Sequence, residues 1–307
     1  MNLREWALPV YTILMHVAVG VLFVLWTLRA FAVRKFDPDE VDKTLDRPLL
    51  VVFVTILTAI IGSHLHLSKP YFSFLALLNL RTSWLSREVV MTILFFFTTA
   101  WLLDLQFSRK SRKRLKTAVG WAATVFGFGA VYSMAEIYRL PTQVAWNTTL
   151  TVASFIFATV LLGIMALALL LIMDLIFVRL RHMDDTGVQA KILQQALPWF
   201  AICAGALVLI IVAENAYQLT ALSKLENGTA QISLRLIWEL YPALFLTRLV
   251  FIVLGVGLLG AAVTWQARLR KSVNELLIPT YIACLLVMVS EILGRFIFYA
   301  MHVRIGI

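Results

Sequence analysis

Long apolar runs separated by short basic or mixed segments recur along the whole chain. A helix rising ~1.5 Å per residue needs ~20 apolar residues to cross a hydrocarbon core of ~30 Å. Eight runs meet that length: Ala7 to Ala32, Pro48 to Leu67, Val89 to Phe107, Thr117 to Tyr138, Thr148 to Val178, Leu193 to Leu222, Tyr241 to Gln266 and Leu276 to His302. Several exceed the minimum, which allows tilt or extension beyond the bilayer. Pro48, Pro198, Pro242 and Pro279 fall in or just before a predicted first turn, where proline is tolerated. The pattern predicts an all-α, polytopic integral membrane protein, a single bundle of eight transmembrane helices over residues 1–307. No segment between the runs is long enough to build an independent core, and no strong internal repeat is visible.

Composition supports this reading over the roughly two soluble domains that length alone suggests. Hydrophobic residues make up 61%, charged residues 14%, and the mean hydropathy is +0.87. The formal net charge of +10 raises the question of nucleic acid. Most of the 27 Lys and Arg lie in the first, third, fifth and seventh loops: Arg29, Arg34, Lys35, Lys43 and Arg47, the run from Ser108 to Lys116, Arg179, Arg181 and Lys191, and Arg268, Arg270 and Lys271. Membrane topology and anionic lipid explain charge so placed. With no aromatic-basic RNA-binding pattern and no DNA-reading helix, nucleic acid is excluded as a partner. The positive-inside bias predicts that both termini, and the stretch from His64 to Glu88, lie on the non-cytoplasmic side. MNLREW precedes a run too long for a signal peptide, so that run is read as a first span.

Ionisable groups inside spans are costly and tend to mark sites. Here they crowd towards one face. His16 lies in the outer half of the first span, His64 and His66 close the second, and Glu88 opens the third. Glu136 and Tyr138 end the fourth, Glu214 and Asn215 sit in the outer half of the sixth, and Arg248 lies early in the seventh. Glu291, Arg295, Tyr299 and His302 follow one face of the last helix, with Glu291 and Arg295 able to pair across one turn. Asp104 and Asp174 are the exceptions, near the inner ends. The grouping predicts a partly polar pocket opening to the outer surface; for Tyr138 and Lys69 the plainer reading is interfacial snorkelling. His64 and His66, two apart, cannot face the same pocket if the helix persists.

Lipid quinones suit such a pocket. Their two oxygens accept hydrogen bonds as quinone and donate them as quinol, and oxidation of a quinol needs groups that take up two protons. Histidine and a partly buried carboxylate fit that task. His66 and Glu88, brought together by the intervening loop, are the natural pair; Asn79, Arg81 and Ser86 orient the ring or hold the loop. Two other classes compete. A b-type haem needs facing histidines, which His16 with His66, or His66 with His302, could supply, but only five histidines exist and His182 sits in a cytoplasmic loop. A transporter would show related halves and helices broken near the midplane, and neither is evident. Cys203 and Cys284 lie inside apolar runs with no CxxC or four-cysteine cluster, so the chain holds no iron-sulfur centre, no structural disulfide and no metal-ligand set.

The run LHLSKPYFSFLALLNLRTSWLSREVV resembles the segment His-Leu-Gly-x-Pro…Asn-x…Ser-x-Leu-Ser-x-Glu of the DMSO reductase membrane anchor subunits. The close, EILGRFIFYAMHVRIGI, resembles the same family's Glu-Leu-x-Gly-Arg-x-x-Phe-Tyr-x-x-His. The resemblance implies a multi-pass anchor in the cytoplasmic (inner) membrane of a bacterium or archaeon. It implies binding and oxidation of menaquinol near the outer face, with electrons passing to a four-cluster ferredoxin-like iron-sulfur subunit. That subunit in turn serves a molybdopterin subunit that acts on the terminal substrate, so the anchor carries no molybdopterin and is not itself catalytic towards that substrate. The family's quinol-linked histidine and glutamate fall on His66 and Glu88, and Arg295, Glu291, Tyr299, His302, Arg81 and His64 are the further candidates for shaping the quinone pocket. Ser68 and Lys69 depart from the family's glycine and small residue. Leu77 to Arg87 is the expected docking surface, and no charge translocation is expected of the anchor itself. Reduced-minus-oxidised absorption of the purified chain is expected to lack an α-band; a clear one would move the reading to the haem protein.

Overall fold

The computed structural model describes residues 7–65, 75–108, 112–181, 186–225, 228–269 and 272–301. Among them, every long element is a helix. In hydrocarbon this follows from the backbone: a spanning segment must satisfy its own N–H and C=O groups, and the α-helix does so within one segment. The helices are α1 (Ala7–Ala32), α2 (Pro38–Leu65), α3 (Trp84–Phe107), α4 (Lys113–Tyr138), α5 (Thr149–Arg181), α6 (Gly187–Ser223), α7 (Gly228–Arg235), α8 (Pro242–Leu269) and α9 (Leu277–Ala300). All but the short α7 are long and apolar enough to cross a membrane, giving the eight expected spans. A π-helical turn, Leu236–Leu240, joins α7 to α8, and Pro242 then opens α8 where its missing N–H costs nothing.

The packing order divides the bundle into two rings of four. In one, α1 packs on α2, α2 on α3, α3 on α4, and α4 back on α1. In the other, α5 packs on α6, α6 on α8, α8 on α9, and α9 back on α5. The two rings meet along α1 and α5, the two most deeply buried spans. At their crossing Gly20 faces Gly163, and a methyl group built on either would overlap the other helix's backbone. Gly120 of α4 likewise leaves room for the fully buried indole of Trp26, whose Nε1 donates to the Thr117 carbonyl at 3.2 Å. Small residues at crossings are how helices gain contact in lipid, where apolar surface has no water to escape.

Several helices begin before the sequence reading placed them: α3 starts at Trp84 and not Val89, and α6 at Gly187 and not Leu193, which puts Pro198 inside α6 and not in its first turn. The largest difference is in α2. The second span was expected to begin at Pro48, but α2 begins at Pro38 and carries Pro48 inside it. The Asp37 side chain accepts from the Asp39 N–H at 2.9 Å, which caps the early start. The extra turns carry Asp42 into the bundle. Its carboxylate accepts from Arg29 Nε at 2.7 Å and from Lys116 Nζ at 2.7 Å, tying α2 to α1 and α4. Gln106 of α3 donates to the Asp42 carbonyl and to Asp46, both at 2.7 Å. Arg29, Asp42 and Lys116 are all buried, so two cations that the sequence reading assigned to loops are internal ion-pair partners. Asp174 is similarly engaged, accepting from Arg47 and Gln189 at 2.7 Å each. We call this the basic end of the bundle and the opposite one, bearing the turn before α3, the loop end.

Removing one member of a buried ion cluster leaves its partners uncompensated. Asp42→Asn is expected to cost about 3–5 kcal/mol, read as a lower midpoint of thermal unfolding in detergent; an unchanged midpoint would show the cluster to be dispensable.

Candidate functional site

The turn that precedes α3 is built by its own polar side chains. Ser83 caps α3 by accepting from the Ser86 N–H at 3.3 Å, and Thr82 donates to Asn79 Oδ1 at 2.6 Å. Arg87 folds back over this turn: its guanidinium donates to the carbonyls of Leu80 at 3.0 Å and Arg81 at 2.7 Å and lies 4.1 Å from the Trp84 ring centroid. Of the two roles expected for Asn79 and Ser86, holding the loop is the one these contacts serve. Arg81 is exposed on the surface of the turn.

Glu88, the next residue, points the other way. Its side chain is buried, and Tyr11 of α1 donates to its Oε1 at 2.7 Å. Thr92, one turn further along α3, lies 3.3 Å from the same phenol oxygen. Glu88 Oε2 has no hydrogen-bond partner among the described residues. His66, the proposed partner of Glu88, lies outside the described residues, as do His302 and Lys69. His64 is exposed at the end of α2, and its Nδ1 lies 2.9 Å from the Ile60 carbonyl. Tyr11 and Thr92 were not among the residues singled out from the sequence; Tyr11 lies one helical turn and a residue before His16, on the same outer half of the first span.

A second polar group follows from α9, where Glu291, Arg295 and Tyr299 share one face as their spacing predicts. Tyr299 lies 3.3 Å from Thr12 Oγ1 and 3.1 Å from the hydroxyl of Tyr138. Tyr138 is half-buried and packs edge-on against Trp146 and Phe298, so it is an internal partner and not a snorkelling interfacial residue. Arg295 does not form the expected ion pair with Glu291. Its guanidinium sits 3.6 Å above the Phe155 ring centroid, a cation–π contact, with one nitrogen 3.5 Å from His16 Nδ1. Phe155 was not foreseen either, because nothing in sequence marks one phenylalanine of an apolar helix as a guanidinium shelf.

Beyond Arg295 lies a cavity of about 60 Å³, with Glu214, Asn215, Arg248, Glu291 and Arg295 in its wall. Arg248 donates to Asn215 Oδ1 at 3.1 Å, and the Ser290 hydroxyl donates to the Arg248 carbonyl at 2.8 Å. The guanidinium lies flat on α9 at Gly294, where an added Cβ would stand 2.6 Å from its Nε. Buried polar atoms without protein partners gather here: Glu214 Oε2, Arg248 Nε, Glu291 Oε1 and, nearby, His16 Nε2. Buried polar groups normally find a partner, and a space this size takes a few waters. It is smaller than the ~150 Å³ that holds benzene, so a quinone ring does not fit it. Glu136, which the sequence grouped with this set, is instead closed off by Arg139 at 2.7 Å.

Two contiguous groups therefore occupy the loop-end half: Glu88, Tyr11 and Thr92 beneath the turn before α3, and a second set that starts at Tyr138 and Tyr299, at the ends of α4 and α9, and runs inward through Arg295 to Glu214. Tyr11 and Thr12, adjacent on α1, contribute one side chain to each.

Gly294→Ala is expected to displace the Arg248 guanidinium and cost about 1–3 kcal/mol. Gly257→Ala, on α8 where nothing lies within 4 Å, should be close to neutral. Equal midpoints of thermal unfolding for the two variants would contradict the tight seating of Arg248.

No curated protein matches the chain. The family described as DMSO reductase anchor subunit (DmsC) matches residues 1–301, nearly the whole sequence, with the eight spans and the buried Glu88 within it. The chain belongs to the DMSO reductase anchor subunit family.

Proposed function

We propose that this membrane anchor of a DMSO reductase-like complex binds and oxidises a lipid quinol, menaquinol, beneath the loop end, and that electrons leave there into an iron-sulfur partner. The observation that carries the reading is Glu88: a buried carboxylate with one oxygen held by Tyr11 and the other without a described partner, one turn below the surface. When bound, a quinol supplies two electrons and two ionisable hydroxyl protons.

Each residue's part follows from its contacts. Tyr11 donates to Glu88 Oε1, which fixes the carboxylate's rotation and leaves Oε2 to accept a hydroxyl proton. Thr92 steadies the phenol that does this. His66, carried by the preceding segment, is the second proton acceptor or a ligand to the ring. Glu291 and Arg295 stand in the wall of a space that admits water and no ring, so neither touches the ring. Glu291 receives or relays protons there, Arg295 supplies a fixed positive charge, and Tyr299, beside Thr12 and Tyr138, joins this set to α1. His302, three residues after Tyr299 in the sequence, is grouped with them by spacing alone. Arg81 and His64, both exposed, serve the surface rather than the pocket.

The partners follow from the same end of the molecule. Leu75, Leu77, Leu78 and Leu80 are exposed in the turn before α3, and Trp238 and Leu240 are exposed in the π-helical turn before α8. Exposed apolar residues clustered outside the spans mark protein contact. A ferredoxin-like subunit with four iron-sulfur clusters docks there, and it passes electrons to a molybdopterin subunit. With the basic loops cytoplasmic, this end and both termini face out from the cytoplasmic membrane.

In the assembled complex, His66→Leu and Glu88→Gln are each expected to lower quinol-analogue oxidation by at least ~10²-fold, with reduction of the terminal substrate by a soluble dye unchanged. Tyr11→Phe should fall less, since it only positions the carboxylate. Unchanged quinol turnover in Glu88→Gln would remove the site from this face of the bundle.

A further inference from the structure

The largest cavity described lies at the other end of the molecule and has no part in the site above. It is a groove of about 1080 Å³ bounded by α1, α5 and α6. Ligand-binding pockets commonly fall within ~300–1,000 Å³, so this space takes a large ligand. It runs from Ile192 to Ile210 along α6, ~27 Å at ~1.5 Å per residue. Its floor includes Val24, Ala32 and Ala196, all buried, and Phe31, Trp199 and Ile210 form exposed rims. α1 and α6 both pack on α5, so the groove is the cleft left where the two helical rings join.

Three features say what fills it. First, Arg34 and Lys35 stand at its basic-end mouth, both exposed. Neither pairs with a carboxylate among the described residues, and Arg34 meets only the Phe31 ring, at 5.4 Å from its centroid. This contrasts with Arg29 and Lys116, at the same end of the bundle, which are consumed by Asp42. Second, Thr27 lines the groove with a buried hydroxyl that has no hydrogen-bond partner. Thr12, Thr124 and Thr159 donate to the carbonyl four residues back; Thr99 and Thr280 also have unpartnered hydroxyls, but Thr27 is the one of the three that lines this groove. Third, Thr27 lies seven residues before Arg34, ~10 Å deeper at ~1.5 Å per residue. The groove thus presents cations at its rim, a hydroxyl donor one step below, and hydrocarbon beyond.

We propose that this groove is a binding site for one anionic glycerophospholipid. The phosphate sits between Arg34 and Lys35, an ester carbonyl accepts from the Thr27 hydroxyl, and an acyl chain lies along Ala196 and Leu207 towards Ile210. Gln195, at the depth between rim and floor, supplies a further amide to the headgroup region. A neutral isoprenoid quinone would leave both cations without a counter-charge, which is why the anion is favoured. Clustered basic residues beside a span attract anionic headgroups, and the groove converts that diffuse attraction into a defined seat. The lipid would fill the cleft between the rings and so bind both at once.

The test uses the assembled complex in nanodiscs of equal phosphatidylethanolamine and phosphatidylglycerol. It is transferred to detergent, and the retained lipid is identified by native mass spectrometry. Phosphatidylglycerol is expected on this chain in at least tenfold excess over phosphatidylethanolamine. The double variant Arg34→Gln with Lys35→Gln should retain the two equally. Ala206→Trp, an exposed position on the groove wall, should retain neither while leaving the charges in place. Equal retention by the unaltered complex, preserved selectivity in the double variant, undiminished phosphatidylglycerol in Ala206→Trp, or release of a quinone in place of a phospholipid would each overturn the proposal.

Discussion

The architecture depends on the close approach of α1 to α5. Helices in lipid gain little by covering leucine with leucine, because the solvent is itself apolar; they associate through backbone proximity and through polar contacts. Gly20 and Gly163 allow the first helix of each ring to touch backbone to backbone. Polar clusters lie on either side of that contact. The Asp42 cluster closes one ring on the basic side of it. On the loop side, Thr12 and His16 of α1 meet Tyr299 and Arg295 of α9, so side chains from both rings share one polar seam.

This joint explains why the candidate site draws on so many helices. Glu88 comes from α3, Tyr11 from α1, Tyr138 from α4, Tyr299 and Arg295 from α9, Arg248 from α8 and Glu214 from α6. Aromatic rings do much of the holding. Phe155 carries Arg295, and Phe298 stacks on Trp146 with centroids 5.0 Å apart while its carbonyl accepts from the Trp146 indole at 3.0 Å. A guanidinium on an aromatic face is less costly to bury than a bare charge. It leaves Glu291 without the partner that spacing alone suggested.

The spans were legible because hydropathy over twenty residues is a strong signal; Ala7 to Ala32 matches α1 at both ends. The start of α2 was not, since Pro48 read as a boundary and Asp42 read as a loop residue. Only the fold reveals that Arg29 and Lys116 converge on that aspartate. The loop-end grouping of titratable residues was legible as well, and Glu88 could be picked out by its motif. Tyr11, Thr92 and Phe155 could not. Tyrosine, threonine and phenylalanine are ordinary in apolar helices, and their significance comes from which ring they face. The pairing of Glu291 with Arg295 failed for the same reason. Two residues four apart on one helix can meet, yet a neighbouring helix offered the cation a better surface.

The two polar zones at opposite ends leave a stretch between them that is worth following. From Val17 to Leu25, α1 carries no polar side chain, and neither does α5 from Val160 to Met173. These are the two helices at the centre of the bundle. An ion entering from the Glu214 chamber would have to shed its hydration to go on towards Asp42, against a Born penalty of several kcal/mol even after relaxation. The joint between α1 and α5 is thus an insulating layer that keeps the two polar zones apart.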